Sequence, residues 1–347
     1  MDRIGVIFGG KSTEHEVSLA SAKNVIEALD RTRHKLVMIG ITQDGEWRAF
    51  EGDPKALTDG SWERMSVPFN PSDLPQVVDL VLPILHGAHG EDGTIQGLFE
   101  MLNVAYAGCG VLSSSLCMDK VAAKMVFDAA GIPTCPYVLV QAEDIRTKAD
   151  QEAARCEKLG YPMFVKPANA GSSVGISKAK DRAGLVAGLK EAAKYDRRVI
   201  VEQAVDAREI ETGVIGNEHP LAAGVGEIAA ANEFYDYEAK YRDDQGTVIT
   251  VPARVEDSLR ERIRDIAVKA YQALDCAGFA RVDFLVDRTT GEAFVNEINT
   301  IPGFTKYSMF PMLWQQEGVP TGELIEKIVE YGYERHRADN NRETVHR

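Results

Sequence analysis

Residues 281–287 read RVDFLVD, and after a turn around Arg288, Thr289, Thr290 and Gly291 the chain continues as AFVNEINT, residues 293–300. Both runs are rich in Val, Phe and Ile, and together they predict a β-hairpin. Side chains alternate faces along a strand, so Arg281 shares a face with Asp283, and Glu297 with Asn299. With the turn centred near Thr290, Asp283 falls opposite Glu297 and Arg281 opposite Asn299. Sheets avoid like charges directly across from each other, so a cation is expected between the two carboxylates. Oxygen donors of this kind suit Mg2+, which takes one or two carboxylates and fills its shell with phosphate and water oxygens. The other face, Val282, Phe284, Val286, Phe294 and Ile298, supplies the core pattern, interrupted by Asn296. A solvated charged face is the plain alternative for any one of these carboxylates. Convergence of the whole group over a sealed apolar face favours a metal–phosphate site.

A chain of 347 residues predicts about two or three domains. Its 44% hydrophobic and 27% charged residues are those of a globular protein. A net charge of −14 argues against a nucleic-acid partner, although small anionic ligands need only local positive charge. The five cysteines are odd in number and contain no CxxC, which predicts reduced thiols and a cytoplasmic protein. No signal-peptide pattern opens the sequence and no apolar run is long enough to span a bilayer, so no membrane association is expected.

Strands at Ile4–Phe8, Lys35–Ile41, Val78–Leu85 and Ala105–Ala107 alternate with helices at Ser18–Leu29 and Ile95–Met101. That alternation predicts an open, largely parallel α/β sheet. Residues 47–75, rich in Pro, Gly, Asp and Ser, read as an irregular connection. A helix over Asp119–Ala130, stopped by Gly131 and Pro133, opens a second domain. Strands follow at Tyr137–Val140, Met163–Lys166, Val174–Lys178 and Val199–Gln203, with helices near Lys148–Leu159 and Arg182–Tyr195. Asn232–Pro252 reads as a mobile loop. Helices Leu259–Leu274 and Gly322–Arg335 flank the hairpin.

Gly5 to Ser12 formally fits the P-loop pattern GxxxxGK[ST], but its first glycine falls inside the strand and too little chain remains to wrap a phosphate. The turn at Gly9–Gly10 still lies at the carboxyl end of a strand, where open α/β sheets bind ligands. Glu14 there either caps the next helix or grips a substrate ammonium group. His86, in the glycine-rich HGAHGEDG, is expected to face substrate, with His89, Glu91 and Asp92 serving turn and helix cap. No third ligand stands at a zinc-like spacing from these histidines. Lys166 followed by PANAGSSVG reads as a lysine and a flexible loop closing over phosphates. The aromatic segment around Phe234–Tyr241 reads as a closing lid.

Taken together, GGKSTEHEVS, HGAHGEDGTIQG, MDKVAAK, KPANAGSSVG, FYDYEAKY, RVDF and NEINTIPGF occur in the order of a known pattern. The chain resembles the ATP-grasp superfamily and, within it, the D-alanine–D-alanine ligase family. The resemblance implies an α/β and α+β chain: an N-terminal open parallel α/β domain (1–118), followed by a two-subdomain ATP-grasp fold (119–203 and 204–347). It implies ATP-dependent ligation of two D-alanine molecules through an acyl phosphate, for peptidoglycan precursors. The alternatives are a D-alanine–D-lactate ligase or a non-catalytic nucleotide-binding module. It further implies two Mg2+ ions, replaceable by Mn2+, on Asp283, Glu297 and Asn299. Lys120, Lys166, Lys240, Ser172, Ser173, Glu202, Val205 and Glu209 match nucleotide-binding positions. Glu14, Ser172 and Tyr241 match a trio closing the site, with Glu14 on the ammonium of the first D-alanine and His86 among the substrate-binding residues. Arg281, Gly303, Ser308 and Met309 match second-substrate and oxyanion positions. A homodimer is implied as well.

Overall fold

The computed structural model describes residues 1–169, 171, 174–229 and 248–341. The apolar run after Met1 forms strand β1 (Asp2–Gly9), buried along almost its whole length. Helix α1 (His15–Ala28) follows, beginning three residues ahead of the expected Ser18. Strand β2 (His34–Ile41) pairs parallel with β1, Ile4 lying opposite Leu36. The expected irregular stretch 47–75 instead holds strand β3 (Trp47–Phe50), helices α2 (Lys55–Asp59) and α3 (Trp62–Met65), strand β4 (Val67–Pro68) and helix α4 (Leu74–Val77). Trp62 explains the difference: it is fully buried and packs edge-on against Phe8 at 5.2 Å, so tertiary burial overrides turn-prone composition. Strand β5 (Leu80–Leu85) flanks β1 on the other side, and after helix α5 (Thr94–Met101) strand β6 (Ala105–Tyr106) ends a sheet of order β4-β3-β2-β1-β5-β6. Its β1, β2, β5 and β6 are parallel, while β3 and β4 form an antiparallel edge.

Two consecutive helices, α6 (Val111–Met118) and α7 (Lys120–Ala129), lead out of this sheet. Asp119 separates them and caps α7, its carboxylate accepting from Ala122 N–H at 2.9 Å. The second sheet comprises β7 (Tyr137–Gln141), β8 (Met163–Pro167), β9 (Ser177–Ala179) and β10 (Arg198–Gln203), in the antiparallel order β7-β10-β8-β9. Helices α8 (Ala142–Cys156) and α9 (Arg182–Ala192) cover one face of it. Helix α8 starts at Ala142 and is interrupted by non-helical backbone at Lys148, where the periodic pattern had placed its start. The strand expected at Val174–Lys178 begins only at Ser177, because Gly175 turns the chain with φ of +72°.

The third sheet is antiparallel in the order β13-β12-β11-β14-β15. It contains β11 (Ala207–Ile215), β12 (Leu221–Ala229), β13 (Val248–Thr250), β14 (Phe279–Asp287) and β15 (Ala293–Asn299), backed by helix α10 (Asp257–Ala273). Of the loop expected over Asn232–Pro252, residues 232–247 lie outside the described residues. Val248–Thr250 is a paired strand rather than loop. Helices α11 (Met309–Gln316) and α12 (Thr321–Asn340) then return to the first sheet, where Phe310, Leu324, Ile325 and Ile328 share a core with Ile4, Val6 and Phe8. This return ties the first and third sheets together on either side of a cleft. Among the described residues no helix is long and apolar enough to cross a membrane.

Candidate active site

A cleft of about 1990 Å³ opens where the three sheets meet. It is lined by every expected site residue within the described parts of the chain: Glu14, His86, Lys120, Lys166, Glu202, Val205, Glu209, Arg281, Asp283, Glu297, Asn299, Gly303, Ser308 and Met309. Ser172, Ser173, Lys240 and Tyr241 lie outside the described residues.

The hairpin register places Asp283 opposite Glu297 and Arg281 opposite Asn299. Its core face differs from the expected one. A bulge shifts the pairing, so that Phe284 faces Val295 and the extra residue is Asn296. Ala293 and Val295 are therefore buried and Phe294 only half-buried, while Asn296 joins Glu297 and Asn299 at the cleft. On the other side of β14, Glu211 of β11 stands opposite Asp283. Glu211, Asp283 and Glu297 thus form a row of carboxylates across three strands, an arrangement a sheet tolerates only with cations nearby. Arg281 supplies one. Its Nε and Nη2 donate to the two oxygens of Asp283 at 2.7 Å each, and Nε lies 3.0 Å from Glu211 Oε2. Burial alone would lower the Arg281 pKa, but Asp283 and Glu211 outweigh it and hold the guanidinium charged. Asn299 Oδ1 is buried with no hydrogen-bond partner among the described residues, an acceptor in need of a cation or donor.

Lys166 on β8 meets Glu202 of the neighbouring strand β10 at 2.6 Å, and Lys124 of α7 reaches the other oxygen of the same carboxylate at 2.9 Å. Burial would raise the Glu202 pKa, yet the two lysines hold it down at about 2. Lys166 in turn is raised by Glu202 against the effect of its own burial. The group carries one net positive charge at the cleft wall, suited to phosphate.

Glu14 sits at the N-cap position of α1 without a side-chain capping bond. Its carboxylate wedges between two glycines instead: a Cβ on Gly87 would lie 2.4 Å from Glu14 Oε2, and one on Gly171 3.4 Å. His86 lines the cleft, but both ring nitrogens are engaged by the protein. Ile301 O can only accept, so Nδ1 donates to it at 2.9 Å, and Nε2 meets Ser21 Oγ at 3.1 Å. Burial lowers the His86 pKa, which favours the neutral ring. Ser21 Oγ also accepts from Phe304 N–H, and Glu91 accepts from Gly87 N–H at 2.6 Å and Ile301 N–H at 3.2 Å. Burial and the nearby Glu14 push the Glu91 carboxyl up to about 8. Besides serving the turn through Gly87 N–H, as expected of it, Glu91 clips the His86 loop to the segment leaving β15. Asp92 does serve the turn, accepting from His89 and Thr94 N–H groups. That clipped segment carries Gly303, packed so closely on Ser308 that a Cβ would stand 2.8 Å from its Oγ. Ser308 Oγ accepts from Thr305 N–H at 3.0 Å, and Met309 is buried behind it.

Lys124, Glu211 and Glu91 were not foreseen as site-shaping residues. A signal existed for two of them. Lys124 lies one helical turn beyond Lys120, on the same face, and Glu211 lies two residues beyond Glu209 on the same strand face. Glu91 carries no local signal for its contact with Ile301, because that partner is distant in sequence.

Family models match both halves of the chain: "D-ala D-ala ligase N-terminus" over residues 3–109 and "D-ala D-ala ligase C-terminus" over residues 126–330. The D-alanine--D-alanine ligase of Thermoanaerobacter sp. (strain X514) is 47% identical, covering 96% of this chain and 97% of that protein. The crystal structure of the VanG D-Ala:D-Ser ligase from Enterococcus faecalis superposes with a TM-score of 0.87 at 36% identity, covering 95% of this chain and 99% of that one. A D-alanine--D-alanine ligase from Bacillus anthracis, complexed with ATP, matches with a TM-score of 0.77 at 27% identity over 98% of this chain and 100% of that one.

Proposed function

This chain belongs to the D-alanine–D-alanine ligase family, and we propose that it joins two D-alanine molecules into D-alanyl-D-alanine, converting ATP to ADP and phosphate, for peptidoglycan precursor synthesis. One observation carries the reading: a single cleft holds the Glu14 carboxylate framed by glycines, the Lys166–Glu202–Lys124 group, and the oxygen row of the hairpin. An ammonium group, a polyphosphate and a metal each find matching chemistry there.

In this reading Glu14 holds the ammonium of the first D-alanine and turns its carboxylate toward the γ-phosphate. Carboxylate oxygen attacks phosphorus, ADP leaves, and an acyl phosphate forms. The amine of the second D-alanine then attacks the acyl carbon. The resulting tetrahedral intermediate expels phosphate and a proton, leaving the amide. No protein nucleophile is needed, so positioning and charge stabilisation carry the rate. Lys120 and Lys166 would take phosphate oxygens, while Glu202, Val205 and Glu209 would line the adenine and ribose. Arg281 and the Gly303 N–H would receive the oxyanion, with Ser308 and Met309 against the second D-alanine. Acyl phosphates hydrolyse readily, which gives Ser172, Ser173, Lys240 and Tyr241 a proposed part in closing the cleft against water.

Asp283, Glu297 and Asn299 would hold Mg2+, or Mn2+ in its place, which when bound neutralises developing charge on the phosphates. The donor set fits: two carboxylates and the buried Asn299 oxygen, unpartnered among the described residues, are hard ligands, and phosphate and water would complete the shell. The division 1–118, 119–203 and 204–347, a cytoplasmic location, the absence of a nucleic-acid partner and a homodimeric state are part of the same proposal.

Likeness to a D-Ala:D-Ser ligase structure favours D-serine as the second reading for the second amino acid. The test is ADP release by purified protein with ATP and Mg2+, with and without D-alanine. Release no greater than in the D-alanine-free control would remove the ligase reading.

A further inference from the structure

We propose that Glu211 is a positioning residue that keeps the Arg281 guanidinium in place when Asp283 turns from it to a divalent cation. The proposal rests on the metal-dependent reading above. Both oxygens of Asp283 are engaged by Arg281, each at 2.7 Å. A carboxylate spent in this way is a poor metal ligand, so loading the site means loosening that pair. The guanidinium, its side chain 16% exposed, would then be left charged and without its counter-ion. Stripping one partner from a buried ion pair is strongly unfavourable.

The register of β11 against β14 supplies a remedy. Glu211 stands directly opposite Asp283, on the same face, with Oε2 3.0 Å from the Nε that Asp283 now holds. Its side chain is only 7% exposed, so its charge acts with little screening by water. A guanidinium offers its donors in one rigid plane. A small rotation therefore passes Nε–H from Asp283 to Glu211 without moving the head group along the strand. Metal binding by Asp283 and oxyanion binding by Arg281 thereby become compatible. With Asp283 as the sole counter-ion they would compete.

The test is Mn2+ binding in the presence of ADP, read from the free-ion paramagnetic resonance signal. It compares wild type, Asp283→Asn, Glu211→Gln, Arg281→Met and the double variant Glu211→Gln/Arg281→Met. Thermal unfolding of each variant checks that it is folded. Wild type should bind, and Asp283→Asn should bind much more weakly. Glu211→Gln should weaken Mn2+ binding roughly tenfold, because Arg281 now clings to Asp283 alone. In the Arg281→Met background no guanidinium competes, and the same change should matter less than about twofold. Equal weakening in both backgrounds would mean that Glu211 acts on the metal directly, by charge or ligation, and would overturn the proposal. So would an unchanged affinity in Glu211→Gln beside a defective Asp283→Asn. If wild type fails to bind Mn2+, or Asp283→Asn binds as well as wild type, the metal reading itself fails and takes this inference with it.

Discussion

Lys124→Met removes one of the two cations that hold Glu202 ionised, and the structure sets the size of the effect. Lys124 is 2% exposed and Glu202 4%, so neither charge has water to fall back on. Against the burial that would raise it, the Glu202 carboxyl stands at about 2 rather than 4.5. At about 1.4 kcal/mol for each tenfold change in proton affinity, that depression corresponds to about 3 kcal/mol favouring the charged form. Two lysines share it. Leaving a buried carboxylate with half its compensation should therefore destabilise the fold by about 2 kcal/mol. The sign with pH follows from linkage. A depressed carboxyl pKa gives stability that is present above the ordinary value and lost as pH falls through the folded one. Wild type should thus keep this contribution at neutral pH and lose it between about pH 4.5 and pH 2. The deficit of Lys124→Met should be largest near neutrality and shrink across that acid window. Urea unfolding at a series of pH values measures both. A deficit under about 1 kcal/mol at neutral pH, or one that does not change with acidification, would refute the claim that the two lysines jointly set the charge of Glu202.

Three further outcomes follow from the same geometry. Arg281→Ala should slow the reaction by the equivalent of about 2–4 kcal/mol of barrier while ATP binding persists, measured as kcat against nucleotide affinity. Gly87→Ala puts a methyl 2.4 Å from Glu14 Oε2 at a residue whose φ is +72°, so KM for D-alanine should rise well above its wild-type value with ATP affinity little changed. Glu91, whose carboxyl is pushed up to about 8, faces Glu14, which raises it, and Arg281, which lowers it. Its contribution is complete below the ordinary carboxyl value and is lost as pH rises through about 8, so wild-type Tm should decline over that range. Glu91→Gln should remove that slope, and an unchanged slope would point to another group.

Much of this arrangement was legible because it is local. The opposition of Asp283 to Glu297 follows from strand alternation and a short turn, and the register agrees. The bulge at Asn296 was not legible. A polar residue on an otherwise apolar face looked like a blemish, whereas the backbone absorbs it as an extra residue and reverses the phase of the residues before it. Strand β11 escaped because its long buried run alternates weakly, and β12, LAAGVGEIA, because its Ala and Gly residues carry little strand signal. Helix α6, VLSSSLCM, has too many serines for a helical pattern, yet Ser113 and Ser114 are buried within it. Helix α11 carries Pro311 in its first turn, where a missing N–H costs nothing, but the residue reads as a breaker in sequence. Non-local partnerships were invisible: Glu91 meets the distant Ile301, and α12 returns to pack on the first sheet.

The most direct test of the central claim follows the oxygen atoms. Purified protein is incubated with ATP, Mg2+ and D-alanine labelled with 18O in its carboxylate, with D-serine added in a parallel reaction. Product mass and isotope content of the released phosphate are then measured. Ligation through an acyl phosphate predicts D-alanyl-D-alanine together with phosphate carrying one labelled oxygen from the first substrate. ADP without dipeptide, or dipeptide with unlabelled phosphate, would contradict the account. A product dominated by D-alanyl-D-serine when both amino acids compete would keep the mechanism but overturn the assignment of the second D-alanine.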